Sequence, residues 1–346
     1  MPHKIHTALL GYGLAGSAFH GPALAALKDF SLDVIVTSDP VRQAKAHADH
    51  PTARVLSRTE WETPGSHGGI DLVVVGTPPA SHAPLARRAL AADCAVVVDK
   101  PFARSSAEGE ALIAFAAARG LLLTTYQNRR WDGEFLTVQK LLATGALGTV
   151  RRFESRFERW RPHISKQWKA QATAAEGGGV LFDLGTHAID QALSLFGPVD
   201  GVYGELAAHR PQERADDDVF VALQHSNGVL SHLWINLTAA QKGPRLRVLG
   251  SAAGYVKQTA DVQEAQIQAG ILPTDPAYGV DRPERWGTLG IDGELTAVPT
   301  ERGWFPRFYE LLAAAMLDGG PVPVDPRDSV AGLRIIETLR GSGIRS

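Results

Sequence analysis

Residues 5–16 read IHTALLGYGLAG, and this stretch decides the fold. A short apolar run ends at Gly11, and Gly11, Gly13 and Gly16 make G-x-G-x-x-G ahead of a helical pattern. In such a turn the first glycine permits a tight bend and the second lets backbone approach a pyrophosphate. The third allows close helix–strand packing, and the helix N-terminus stabilises the anion. A plain βα turn looks similar, so the turn alone is weak evidence. Its surroundings strengthen it. LDVIVT (32–37), DLVVVGT (71–77), CAVVVDK (94–100) and LLLTTY (121–126) are further strand-like runs, separated by alanine-rich helical segments such as 84–92 and 108–120. That alternation predicts a parallel sheet covered on both faces.

After about residue 125 the texture changes. Residues 134–144 read as a helix ending at Gly145. Polar/apolar alternations follow at 150–160, 201–209, 218–225, 228–238 and 244–251, with turn signals such as Ser226-Asn227-Gly228 between them. This pattern predicts a mainly antiparallel sheet with one exposed face. Residues 261–303, rich in Gly, Pro and polar side chains, read as an irregular excursion, and 305–317 and 328–340 as helices. At 346 residues, two domains are the prior. The expected architecture is α/β: an N-terminal Rossmann domain (1–124) for the dinucleotide, and a C-terminal α/β domain (125–346) with a large, mainly antiparallel sheet. The second domain would bind substrate and mediate oligomerisation, its last helix being able to pack back on the first.

Thirty-five Lys and Arg against 37 Asp and Glu leave a formal charge of −2, which implies no polyanion-binding surface. Arg151, Arg152, Arg156, Arg159 and Arg161 alternate with Phe153, Phe157 and Trp160, as on a two-faced strand rather than a nucleic-acid stripe. Cys94 is the only cysteine, so neither an intrachain disulfide nor a cysteine metal cluster can form. No apolar run reaches the roughly 20 residues of a membrane span, and the expected setting is the cytoplasm. His20, His47, His50 and His67 lack ligand spacing and read as surface residues.

The tip of the second strand carries Thr37 and Ser38, then Asp39, with Arg42 one turn later. Hydroxyls beside a guanidinium suit a 2′-phosphate better than a bare ribose, which favours NADP(H) over NAD(H). Asp39 is the competing ribose acceptor under a one-residue shift. Lys100 ends the fourth strand, where open α/β sheets bind ligands. There it could bridge a nicotinamide ribose hydroxyl and the reacting oxygen of a substrate, or simply be solvated. Further on, GGGVLFDLGTHAIDQAL (177–193) sets Asp183 and His187 four apart, on one face of a helix. The pair suits acid/base work, packing beneath a glycine loop, or, with Asp190, a metal site. One histidine without cysteine support argues against metal.

Taken together, GYGLAG (11–16), GTPPASH (76–82), Asp99-Lys100-Pro101 and GGGVLFDLGTHAID (177–190) resemble the glucose–fructose oxidoreductase / inositol dehydrogenase / MocA family of NAD(P)-dependent oxidoreductases over nearly the full length. The detail is most similar to a bacterial subgroup containing an NADP-dependent scyllo-inositol dehydrogenase. The resemblance implies that Lys100, Asp183 and His187 form the catalytic group. It places the cofactor against Gly11, Tyr12, Gly13, Leu14, Ala15, Gly16, Ser38 and Arg42, with Thr77, Pro78, His82, Asp99, Lys100, Asn128 and Trp168 completing that lining. Lys100, Asn128, Trp160, Asp183 and His187 would meet the substrate. Asp99 stands where the family usually has glutamate, one methylene shorter. A homodimer or dimer of dimers through the second sheet is also implied.

These residues suit hydride transfer between a nicotinamide cofactor and a secondary alcohol or ketone on a polyol, inositol or sugar-like substrate. His187 has the intrinsic pKa for proton transfer, Lys100 would polarise the substrate oxygen, and Asp183 would orient the substrate. Spacing alone does not order the roles of His187 and Lys100. Two rival readings are a non-catalytic NADP(H)-binding sensor and a reductase of a small carbonyl compound. Arg156, Arg159, Trp160, Arg161, Trp234 and Asn236 are further candidates for lining the pocket, in a register that alternation does not fix.

Overall fold

The run that opens the chain forms β1 (Ile5–Leu10), and the glycine turn leads into α1 (Gly21–Ala26). Then follow β2 (Phe30–Val36), α2 (Pro40–Asp49), β3 (Arg54–Leu56), α3 (Arg58–Glu62), β4 (Leu72–Val75), α4 (His82–Ala91), β5 (Ala95–Asp99), α5 (Ser106–Ala118) and β6 (Leu123–Tyr126). The computed structural model describes residues 4–63, 68–164, 172–173, 176–211 and 213–341. The chain divides into two units. The first is Met1–Asn128, Ala265–Tyr278 and Trp304–Val330; the second is Arg129–Glu264, Gly279–Gly303 and Ala331–Ser346.

In the first unit the six strands are parallel in the order β3-β2-β1-β4-β5-β6. The order reverses between β1 and β4, where doubly wound sheets open a crevice at the carboxyl ends of their strands. Val73, Val74, Val75, Val96, Val97 and Val98 are fully buried, as strands covered on both faces must be. Each contributes roughly 1.5–3 kcal/mol by leaving water. The core is completed from far along the chain. Phe308 and Tyr309, on the helix Arg307–Asp318, pack at 4.9 and 5.8 Å from the ring of Tyr126, and Tyr309 lies 5.6 Å from Phe30. Thr124 Oγ1 also donates to Val324 O at 2.7 Å.

The second unit contains α6 (Gly133–Ala143), β7 (Val150–Glu158), α7 (Thr186–Phe196), β8 (Val199–Ala207), β9 (Asp218–His225), β10 (Leu230–Asn236), β11 (Leu246–Gly250) and β12 (Gly254–Lys257). After the short helix α8 (Gln263–Gln268), within which the chain passes from the second unit to the first, β13 (Gly287–Ile291) and β14 (Glu294–Val298) complete an eight-stranded sheet. Its order is β14-β13-β12-β11-β7-β10-β9-β8, antiparallel except for the β7–β10 pair. Alternation decides the faces. Phe153, Phe157, Val219, Val221, Leu233 and Ile235 are buried, and α7 covers that side, with Phe196 5.5 Å from Phe153. The other side presents Tyr203, Phe220, His232 and Trp234 as a ladder of rings 5.2–6.5 Å apart. The helix Arg307–Asp318 is α9, and α10 (Pro326–Gly341) closes the described chain.

One expectation needs correction, and one register left open is now fixed. Residues 261–303 do not form an irregular excursion, since β13 and β14 lie within them. The hairpin sits at the sheet edge, and β14 is exposed along most of its length, so no buried face imprinted an alternation on it. Its signal was the turn pair Asp292-Gly293, which joins the two strands with Gly293 at φ +91°. Arg156 and Trp234 lie on the open side of the sheet, the Arg156 guanidinium 3.8 Å from the Trp234 ring. They therefore face away from α7.

Candidate active site

Gly11 sits at φ +96°, and a Cβ there would come within 2.6 Å of Gly76 O, beyond the end of β4. A Cβ on Gly16 would collide with Gly11 O. The turn is thus pressed flat against the neighbouring loop, and Gly11 N donates to Val36 O at 2.9 Å. Leu14 is exposed on its outer edge, and Ala15 begins a π-helical turn, Ala15–His20, that runs into α1. Tyr12 points the other way. Its hydroxyl donates to Asp49 Oδ2 at 2.7 Å, and burial pushes the phenol pKa up. Only its backbone is therefore available on the outer edge.

At the tip of β2, Ser38 is exposed and its Oγ accepts from Arg58 N at 3.1 Å. Asp39 caps α2, with Oδ1 accepting from Arg42 N at 3.0 Å, which orients the carboxylate at the helix end. Arg42 is exposed in the first turn of α2, and its guanidinium lies 3.8 Å from where a Cβ on Gly13 would stand. A bare backbone edge with a guanidinium beside it fits the phosphates of a dinucleotide.

The loops after β4 and β5 are tied together by His82. This residue is 1% exposed at the start of α4; its Nε2 lies 2.7 Å from Thr77 O and its Nδ1 2.8 Å from Pro101 O. With both ring nitrogens engaged by backbone, His82 supports the Thr77 loop from behind instead of facing outward. Thr77 Oγ1 accepts from Ser81 Oγ at 2.7 Å, and Pro78 is exposed. Lys100 is half-buried, its backbone N donates to Asp99 Oδ1 at 2.8 Å, and the Lys100–Pro101 peptide is cis. Asp99 Oδ2 lies 3.9 Å from Nε2 of His20. Burial raises the Asp99 pKa, but the approach of His20 and the charges of Lys100 and His82 outweigh it, leaving the pKa below the usual carboxylate value. Asn128, 8% exposed, ends the first continuous segment of this unit.

His20 and His50 are not surface residues. His20 is fully buried with Nδ1 2.7 Å from the Tyr309 hydroxyl, and His50 stacks edge-on against Tyr12. His47 is exposed as expected, and His67 lies outside the described residues. The cue for His20 was its place four residues past the glycine motif, at the helix face turned to the sheet. Its partner Tyr309 is 289 residues away, beyond any sequence-local signal.

In the second unit, Asp183 lies in a π-helical turn, Leu181–Gly185, and His187 is the second residue of α7. The step between them therefore crosses a wider winding than the α-helix assumed from spacing, a geometry common at functional sites. The turn is anchored by Asp216, whose Oδ2 accepts from Leu181 N at 2.6 Å while its carbonyl accepts from Val180 N at 2.9 Å. Asp183 is half-buried and His187 is 4% exposed. One turn on, Asp190 is gripped by Arg130 through Nε–Oδ2 at 2.8 Å and Nη2–Oδ1 at 2.7 Å. Gln191 Nε2 donates to Arg129 O at 2.9 Å, and Arg245 Nη2 donates to its Oε1 at 3.2 Å. These contacts fix the rotation of α7. Arg130, Gln191 and Arg245 escaped the sequence reading because their partners are 54 to 62 residues away. Trp160 is 56% exposed beyond the end of β7, bridged to Thr238. Trp168 lies outside the described residues.

A family model described as "Oxidoreductase family, NAD-binding Rossmann fold" matches residues 5–127, and one described as "GFO/IDH/MocA C-terminal domain" matches 135–256. The chain is 33% identical to the scyllo-inositol 2-dehydrogenase (NADP(+)) IolW of Bacillus subtilis, over 98% of this chain and 93% of that one. It is 36% identical to the uncharacterized oxidoreductase YdgJ of Escherichia coli, over 97% and 96%. The solved structure of yvaA from Bacillus subtilis superposes with a TM-score of 0.91 at 33% identity, covering 99% of this chain and 96% of that one.

Proposed function

Because the chain belongs to the GFO/IDH/MocA family and is an oxidoreductase, we propose that it interconverts a secondary alcohol and a ketone on a polyol, inositol or sugar-like substrate with NADP(H). The observation that carries the cofactor choice is the placement of Arg42 beside Gly13, with Ser38 exposed at the strand tip. A guanidinium there pairs with a 2′-phosphate. The substrate class draws support from IolW, which acts on scyllo-inositol by its name and is 33% identical along almost the whole chain.

When bound, the nicotinamide supplies or accepts the hydride. The remaining work falls to side chains. Lys100, at the carboxyl end of β5, polarises the substrate oxygen and stabilises charge developing there. His187 holds the proton exchanged with that oxygen, and Asp183 orients the substrate hydroxyls. Rotation of His187 is set by the Arg130–Asp190 grip one turn further along α7. The rings on the open sheet face suit pairing with a second copy into a homodimer or dimer of dimers. No helix among the described residues is long and apolar enough to cross a membrane, and the single buried Cys94 suits a reducing cytoplasm.

A panel of inositols, polyols and sugars assayed separately with NADP and NAD tests the reading. Turnover with NADP, lost in Lys100→Met while NADPH still quenches protein fluorescence, is the expected result. Robust turnover with NAD alone would overturn the cofactor assignment, and full activity of Lys100→Met would overturn the catalytic one.

A further inference from the structure

His82 has an arrangement that a neutral imidazole cannot satisfy. Its two ring nitrogens lie 2.7 and 2.8 Å from Thr77 O and Pro101 O, and both partners are backbone carbonyls that only accept. A neutral ring carries one N–H and one lone pair, so one of the two contacts would set a lone pair against a carbonyl oxygen. Reversing the ring would put carbon atoms at those distances instead. Only the ring with both nitrogens protonated makes two hydrogen bonds here. The residue is 1% exposed, and a buried cation needs a counter-charge. The Asp99 carboxylate is close enough to supply one, since a charge on His82 helps to lower its pKa.

We propose that His82 is held as an imidazolium and is a positioning residue, strapping the Thr77 loop to the Lys100–Pro101 loop and so fixing where Lys100 stands. The inference rests on the role given above to Lys100 and extends it. The two loops leave adjacent parallel strands, β4 and β5, whose paired register ends at Val75 and Val98. Two bonds from one rigid, planar cation set the spacing between them. Asp99 also faces Lys100 from the end of β5 and His20 from the turn after the glycine motif. Loss of the His82 proton would break one of the two links, release the loop on that side, and leave Asp99 with less positive charge to face.

Long-range proton–nitrogen correlation spectra of protein labelled with nitrogen-15 histidine test the charge state directly. At pH 7 one ring is expected to show two N–H groups that exchange slowly, and the signal should vanish in His82→Gln. A ring with a single N–H at that position would overturn the proposal, whether or not any variant folds. His82→Gln and His82→Leu, checked by circular dichroism, are expected to lower kcat by about 10- to 100-fold, the scale of an ångström misplacement. NADPH affinity measured by fluorescence should change far less. Wild-type kcat in both variants would refute the positioning role. If the wild-type protein turned over none of the panel substrates, the functional reading would fail while the spectrum still decided the strap.

Discussion

Replacing Arg130 with methionine is the sharpest test of how α7 is held. The Arg130 and Asp190 side chains are only 14% and 5% exposed, and they meet through two charge-assisted bonds at 2.7 and 2.8 Å. Taking one partner from a buried pair costs about 3–5 kcal/mol, because the other charge stays in a low-dielectric site. At about 2–4 °C per kcal/mol for a domain of 150–250 residues, the melting temperature should fall by roughly 6–20 °C. Removing both charges, as Arg130→Met with Asp190→Leu, should recover at least half of that loss, since no charge is then stranded. Urea unfolding at pH 7 followed by circular dichroism measures Arg130→Met, Asp190→Leu and the double variant, and the double-mutant cycle isolates the coupling. Because His187 lies one turn before Asp190, kcat should fall in Arg130→Met as well. A loss below about 1 kcal/mol in the single variant, or strict additivity in the double, would refute the argument that this pair sets the rotation of α7.

Arg42→Ala should raise the KM for NADPH by about tenfold or more, the range for a lost charge-assisted bond, while leaving the KM for NADH unchanged; equal effects on both coenzymes would count against a 2′-phosphate partner. Asp261 has its pKa pushed up to about 6 by burial and the Glu134 charge. The folded state therefore retains a proton that the unfolded chain releases, so this group's stabilisation is complete below pH 4 and is lost as pH rises through about 6. Asp261→Asn should flatten the fall in stability across that window in urea melts at stepped pH, and an unchanged slope would assign it elsewhere. Phe220→Glu with Trp234→Glu places charge on the open sheet face and should yield monomers by analytical ultracentrifugation; an unchanged sedimentation coefficient would remove that face as the interface.

Wherever structure follows from local pattern, the sequence was readable. Valine runs at 73–75 and 96–98 could only be doubly covered parallel strands, and the alternation at 218–225 coincides with β9. Gly11 betrays itself because no side chain fits against Gly76 O. The site was legible to the extent that its residues sit at strand ends or near glycine. What stayed hidden depends on distant partners. Nothing near Arg130 announces Asp190, and nothing near His20 announces Tyr309. The π-helical winding at Leu181–Gly185 was also invisible, since it is set in part by Asp216, 35 residues on from Leu181. The strap at His82 needed coordinates because its evidence lies in what both ring nitrogens face.

The late return of the chain to the first unit limits how this protein can be cut and recombined. A fragment ending at residue 128 would retain all six parallel strands and the whole glycine turn. It would lack Phe308 and Tyr309, leaving the Tyr126 and Phe30 rings uncovered and Nδ1 of the buried His20 without the Tyr309 hydroxyl. Grafting this coenzyme module onto another catalytic body therefore requires the 304–330 segment to travel with it. The module is contiguous in space and discontinuous in the gene, so recombination that respects only the N-terminal boundary would deliver a sheet with an open flank.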